Sequence, residues 1–119
     1  MYGVPNDLDL SPFVNKEIGV VNVGQFTFTL IFEKGNLSIA CEGQVIVFEG
    51  EKPTTVLNGE WVDLNPLVRI QNLAVISTKI ESGKSFSFTL LNGIKILFVD
   101  NSSDYESFQV HIGKKLIVI

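Results

Sequence analysis

The sequence predicts an all-β protein, a pseudo-symmetric sandwich or partly open barrel built from two tandem β repeats, each opened by a short helical turn. Three observations carry this. In "QFTFTLIFE" at 25–33 apolar and polar residues alternate, with Phe26, Phe28, Leu30 and Phe32 on one side, and "SFSFTLL" repeats the pattern with Phe86, Phe88 and Leu90. A period of two belongs to a half-buried strand; a helix cannot produce it. β-Branched and aromatic residues dominate these segments, and the breaks between them are turn chemistry, such as Val23-Gly24, Ser82-Gly83 and Asn92-Gly93. Finally, "DLSPFV" at 9–14 returns as "DLNPLV" at 63–68, an offset of 54 residues.

In chain order, Ser11 and Asn65 are expected as helix N-caps, each followed by Pro at the first helical position, where a missing N–H costs nothing. Leu10, Phe13 and Val14, and in the second copy Leu64, Leu67 and Val68, become apolar plugs. The first strand of each copy aligns Ile18-Val20-Val21 with Leu73-Val75-Ile76, the second aligns Phe26–Leu30 with Phe86–Leu90, and Gly35 aligns with Gly93 before the third. Length changes fall in turns, as they do when a duplicated unit drifts. "LNG" at 91–93 is the strongest hairpin signal, read as a tight primed turn.

Repeat 1 covers about 8–50 and repeat 2 about 62–119, joined by a linker at 51–61 that carries Pro53 and Asn58-Gly59. Half of 119 residues is too little chain for a separate core, so the copies are expected to fuse into one domain of roughly eight to ten strands. The closing "KKLIVI" is a last strand, with Lys114 and Lys115 discouraging edge-to-edge aggregation.

Composition narrows the function. The apolar fraction is 45% and the mean hydropathy +0.31, yet no apolar run reaches the length of about 18 residues that a spanning helix requires. The start has no basic segment followed by an apolar stretch, so a cytoplasmic location is expected. A single cysteine, Cys41, excludes an internal disulfide and any cysteine-rich zinc site. The net charge of −4 argues against nucleic-acid binding, which needs clustered Lys and Arg. Residues 1–60 hold eight acids and three bases, whereas residues 61–119 hold five acids and six bases, so one region is set to present an acidic surface to a basic partner.

Catalytic chemistry is not visible. His111, the one histidine, falls on the polar side of a strand with Gln109, and Cys41 falls in line with Leu37 and Ile39 as a small buried hydrophobe. There is no Gly-x-Ser-x-Gly and no phosphate-cradling glycine loop, so no enzyme activity, cofactor or metal is expected. The stretch that differs most between the copies is "DNSSDYES" at 100–107, against "EGQ" at 42–44. Asp100, Ser102 and Asp104 alternate like the start of a calcium loop, but Tyr105 stands at the turn-glycine position and His111 where the bidentate Glu belongs. An Asx-rich connection fits better, with Asp100, Asp104, Tyr105 and Glu106 as contacts for a partner. Trp61 is expected as a core plug in preference to an exposed anchor, and Arg69, Lys79 and Lys84 as scattered surface charge in preference to a small anion site.

The order of a "DLxP" turn, a hydrophobic strand, an aromatic hairpin and a closing "DxSxxYES" resembles a small bacterial all-β family of uncharacterised function, similar to the immunity proteins of toxin systems. The resemblance implies a non-catalytic binding protein that neutralises a toxin-like protein partner, and it brings no catalytic residues. The alternative is a homo-oligomeric anti-defence sponge that sequesters a nucleotide-like signal through Arg69, Lys79 and Trp61.

Overall fold

The computed structural model describes residues 3–33, 36–102 and 106–119. After a 3-10 turn at Ser11–Phe13 come β1 (Ile18–Val23), β2 (Phe28–Phe32), β3 (Leu37–Cys41), β4 (Gln44–Glu49) and β5 (Lys52–Leu57). The helix α1 (Leu64–Ile70) then precedes β6 (Val75–Ser82), β7 (Ser85–Leu90), β8 (Lys95–Val99), β9 (Phe108–Ile112) and β10 (Lys115–Val118). The strands form two antiparallel five-stranded sheets packed as a sandwich and not closed into a barrel, in the orders β1-β2-β3-β9-β10 and β6-β7-β8-β4-β5.

Read from β1 and from β6, the two orders are the same: three strands of one copy, then the last two of the other. Each copy therefore starts in one sheet and finishes in its partner's sheet, and neither sheet exists without both copies. β5 sits where a linker was expected and is the counterpart of β10. The turns agree, since Gly50 before β5 and Gly113 before β10 have φ of 65° and 63°.

The copies meet where their first strands begin. Asn15 N–H donates to the Val75 carbonyl and Asn72 N–H to the Ile18 carbonyl, both at 2.7 Å, while Ile18 N–H reaches Leu73 O and Val75 N–H reaches Lys16 O, both at 3.0 Å. Asn15 and Asn72 hold φ of 70° and 69°, a left-handed conformation that asparagine tolerates better than most residues. This symmetric knot runs at an offset of 57, three more than the repeated motif. The reason is one added turn of helix. Asp63, not Asn65, is the N-cap of α1 and accepts from Asn65 N–H at 3.1 Å, while Asp9, one residue before the N-cap Leu10 of the 3-10 turn, makes the matching bond to Ser11 N–H at 3.0 Å. From that common start the second copy makes a seven-residue α-helix where the first makes a three-residue turn. The buried plugs are consequently Leu10 and Phe13 in one copy and Leu67 and Ile70 in the other, while Leu64 and Val68 face outward.

Phe13 wedges between the sheets, its ring 5.0 Å from Phe32 and 5.2 Å from Phe88. Beside it Phe86 stacks on Phe98 at 4.6 Å, and Phe108 meets both edge-on at 5.6 Å. Two local expectations change. Phe26 lies in the β1–β2 turn and is 52% exposed, because Phe28, not Phe26, pairs with the last core residue of β3, Cys41. The β7–β8 hairpin closes with a three-residue loop, Leu90 accepting from Gly93 N–H at 2.9 Å, and positive φ is needed at Gly93 alone. Among the described residues no helix is long and apolar enough to cross a membrane.

Candidate functional site

The exchange of strands between sheets requires two crossings, Glu42-Gly43 from β3 to β4 and residues 100–107 from β8 to β9. They touch: the Ser107 carbonyl accepts from Glu42 N–H and Gly43 N–H, both at 2.8 Å. Only glycine fits at 43, since a Cβ there would stand 2.6 Å from Ser107 Cβ and 2.9 Å from Val99 O.

Asp100 is the pin of this end. It is 8% exposed, and its carboxyl accepts from Ser107 Oγ at 2.7 Å, Gly3 N–H at 3.1 Å and Ser102 N–H at 3.4 Å. Its own N–H donates to the Lys84 carbonyl at 2.7 Å. The oxygens proposed as partner contacts are thus occupied in tying the chain start, the β6–β7 turn and the 100–107 loop together. Asp104 and Tyr105 lie outside the described residues. Glu106 accepts from Gln109 Nε2 at 2.8 Å and borders a cleft of about 120 Å³ shared with Thr27, Glu42 and Ser107. Cys41 also lines it, but its side chain is buried and burial pushes the thiol pKa well up, which disfavours the nucleophilic thiolate.

Across that cleft runs the β1–β2 turn, and on its far side Val62 N–H donates to the Gln25 carbonyl at 3.3 Å. This bond ties the residue after Trp61 to the residue before Phe26. Trp61 is not a core plug: it is 70% exposed, and Leu64 and Val68 continue from it along the outer face of α1 at 53% and 72% exposure. Within α1, Leu64 and Val68 sit at i and i+4, on a different face from the buried Leu67 and Ile70, and Trp61 precedes the Asp63 N-cap. An open groove of about 460 Å³ between the end of β5 and the start of α1 is bordered by Trp61 and Leu64 and by the acids Glu60 and Asp63. Glu42 and Glu106 border the smaller cleft, and Glu60 and Asp63 border this groove. No ion pair among the described residues engages any of these four acids.

Arg69, Lys79 and Lys84 stand apart and form no anion site. Arg69 Nε donates to both oxygens of Glu49, at 3.0 and 2.9 Å, at the other end of β4 from the crossing. That contact holds the Glu49 carboxyl below its ordinary pKa and raises Arg69 above its own. Lys79 lies on β6, three strands away from β4, 3.6 Å from Glu81, and Lys84 occupies the β6–β7 turn. His111 is half-buried on the outer face of its sheet, as expected, between Ser38 and Leu116. Among the described residues no group of three or more His, Cys, Asp or Glu is placed to hold a metal.

Sequence reasoning missed Phe26, Leu64 and Val68 as surface residues. The signal for the helix is present: extending "DLNPLV" through Arg69-Ile70 separates a buried Leu67-Ile70 pair from an outward Leu64-Val68 pair, which a single turn does not do. Comparison with known proteins found no matching family model, no similar curated protein and no similar solved structure.

Proposed function

We propose that this chain is a non-catalytic binding protein of bacterial or phage conflict, acting in the cytoplasm, which neutralises a protein partner by covering it. The observation that carries the proposal is the groove between β5 and α1, where the exposed Trp61 and Leu64 adjoin Glu60 and Asp63, acids that no ion pair among the described residues engages. Tryptophan is enriched among interface hot spots, and nearby acids supply fast, salt-sensitive attraction to a basic surface. The immunity-like framework motifs point the same way. A toxin with a basic active site has the complementary chemistry. The sponge alternative draws no support from the arrangement, because Arg69 is committed to Glu49 and the three cations stand apart.

The test uses the protein encoded beside this one as immobilised ligand, with binding measured at low and high salt. Wild type is expected to bind, with a slower on-rate at high salt, and Trp61→Ala to weaken binding at least about 30-fold with the fold intact. Absence of binding to the neighbour, or unchanged affinity in both Trp61→Ala and Glu60→Lys, overturns the proposal.

A further inference from the structure

The sequence contains two Asn-Gly pairs, Asn58-Gly59 and Asn92-Gly93, and both lie on exposed turns. Asn-Gly is the dipeptide in which a side-chain amide is most readily attacked by the following backbone nitrogen, because glycine puts no Cβ in the way. In both pairs the side chain is folded back over that nitrogen. Asn58 Oδ1 accepts from Glu60 N–H at 3.2 Å and Asn92 Oδ1 from Ile94 N–H at 3.1 Å, Asx turns that hold Cγ over the intervening peptide. Both glycines have positive φ, 93° at Gly59 and 88° at Gly93, and neither has an atom within 4 Å of where a Cβ would stand. Side-chain posture and space do not separate the two sites.

The glycine nitrogens do. Gly93 N–H donates to the Leu90 carbonyl at 2.9 Å, and Leu90 N–H, donating to the Ile94 carbonyl at 2.8 Å, closes the same hairpin. Gly59 N–H donates to no carbonyl among the described residues, in a stretch that leaves β5 at Leu57 and is tied to the β1–β2 turn only at Val62. A backbone nitrogen must lose its proton to attack, and a hydrogen-bonded one is held back until its turn opens.

We propose that Asn58 is a site of spontaneous deamidation and isoaspartate formation, favoured by the fold over Asn92. Gly59 N gives up its proton and bonds to Asn58 Cγ, and the side-chain nitrogen takes a proton and leaves as ammonia, which closes a succinimide ring across residues 58 and 59. Glu60 N–H, already on Oδ1, stabilises the negative charge that this oxygen gains during the attack. Water then opens the ring at either carbonyl. One opening gives aspartate; the other gives isoaspartate, with the main chain routed through the former side chain. Each adds a negative charge where a neutral amide stood. Asn58 borders the groove between β5 and α1 together with Glu60, Trp61 and Asp63, so the new charge enters a groove that already holds two acids. An effect on binding rests on the partner reading above, whereas the modification itself does not.

Prolonged incubation of the intact protein at mildly alkaline pH, followed by peptide mapping and labelling with an isoaspartate-specific methyltransferase, tests the proposal. Folded wild type is expected to gain an acidic form on ion exchange, with isoaspartate at 58 accumulating at least about fivefold faster than at 92, the protection that one hydrogen bond gives. Asn58→Ser keeps a turn-forming side chain but has no amide to lose, and is expected to suppress most of the acidic form. Asn92→Ser is expected to leave it. In guanidinium chloride the two rates are expected to converge to within about twofold, because the bond at Gly93 is gone. Equal rates in the folded protein, faster reaction at Asn92, or a preference for Asn58 that persists in the unfolded chain overturns the proposal.

Discussion

The segments that lead into the two copies began as the same device and are now used differently. Each carries an aspartate that accepts the backbone N–H two residues on, each places an apolar plug in the core, and each donates a backbone hydrogen bond to the first turn of the other copy, Val4 to Gly83 at 2.8 Å and Val62 to Gln25 at 3.3 Å. The first segment is then locked. Val4 is 6% exposed, Gly3 is bonded to Asp100, and Leu10 and Phe13 point inward. The second, with one more turn of helix, keeps Leu67 and Ile70 for the core and turns Trp61, Leu64 and Val68 to solvent. Duplication lets one copy hold the fold while the other exposes apolar surface that burial alone gives no reason to leave in water.

That contrast can be broken most severely at the plugs. Phe13→Ala is expected to cost about 4 kcal/mol and Ile70→Ala about 3 kcal/mol in urea denaturation, since each leaves a cavity in a closed core. If Ile70→Ala costs nothing while Val68→Ala is damaging, the 57-residue equivalence of the copies is wrong. Next comes the pin that only the first segment has. Asp100→Ala removes the acceptor of Ser107 Oγ and Gly3 N–H and is expected to cost about 2 kcal/mol, with amide exchange rising at Gly3 and Ser107. A loss under about 0.5 kcal/mol means that water replaces the carboxyl and the pin is not needed.

A smaller effect separates the two sheet faces by pH. Hydrogen bonding from Ser87, then from Lys95, holds the Glu81 carboxyl below its ordinary pKa. The stabilisation it brings is therefore full above the ordinary carboxylate range and is lost as pH falls through its own lower value. The stability gap between wild type and Glu81→Gln is expected to be widest near pH 7 and to close below about pH 4. A gap that is constant from pH 7 to 3 argues against ionic stabilisation there. Smallest of all, Trp61→Ala and Val68→Ala are expected to change the unfolding free energy by no more than about 0.5 kcal/mol, as surface substitutions do. A large loss at Trp61 makes it a structural residue after all.

The strands were legible in the sequence because alternation is local: "FTLIF" and "SFSFTL" must place one face in water and one in a core, whatever they pack against. The duplication was legible for a similar reason, since the aspartates of Asp-Leu-x-Pro act on their own next residues. Cys41 in the core and His111 on a polar face followed from the same period of two. What a neighbour decides was not legible. Phe26 and Phe28 are indistinguishable by pattern, and only pairing with Cys41 ends the buried face at Phe28. Asp100 reads as a loop ligand until the chain start, far away in sequence, arrives to bond it. Trp61 has the composition of a plug yet is exposed, because Leu67 and Ile70 are the residues that the second copy buries as its plugs. The sequence by itself determined two β units and their common parts. Only the tertiary structure decided that they exchange strands, because hydrogen-bond partners across a sheet are chosen by three-dimensional proximity that no local pattern encodes.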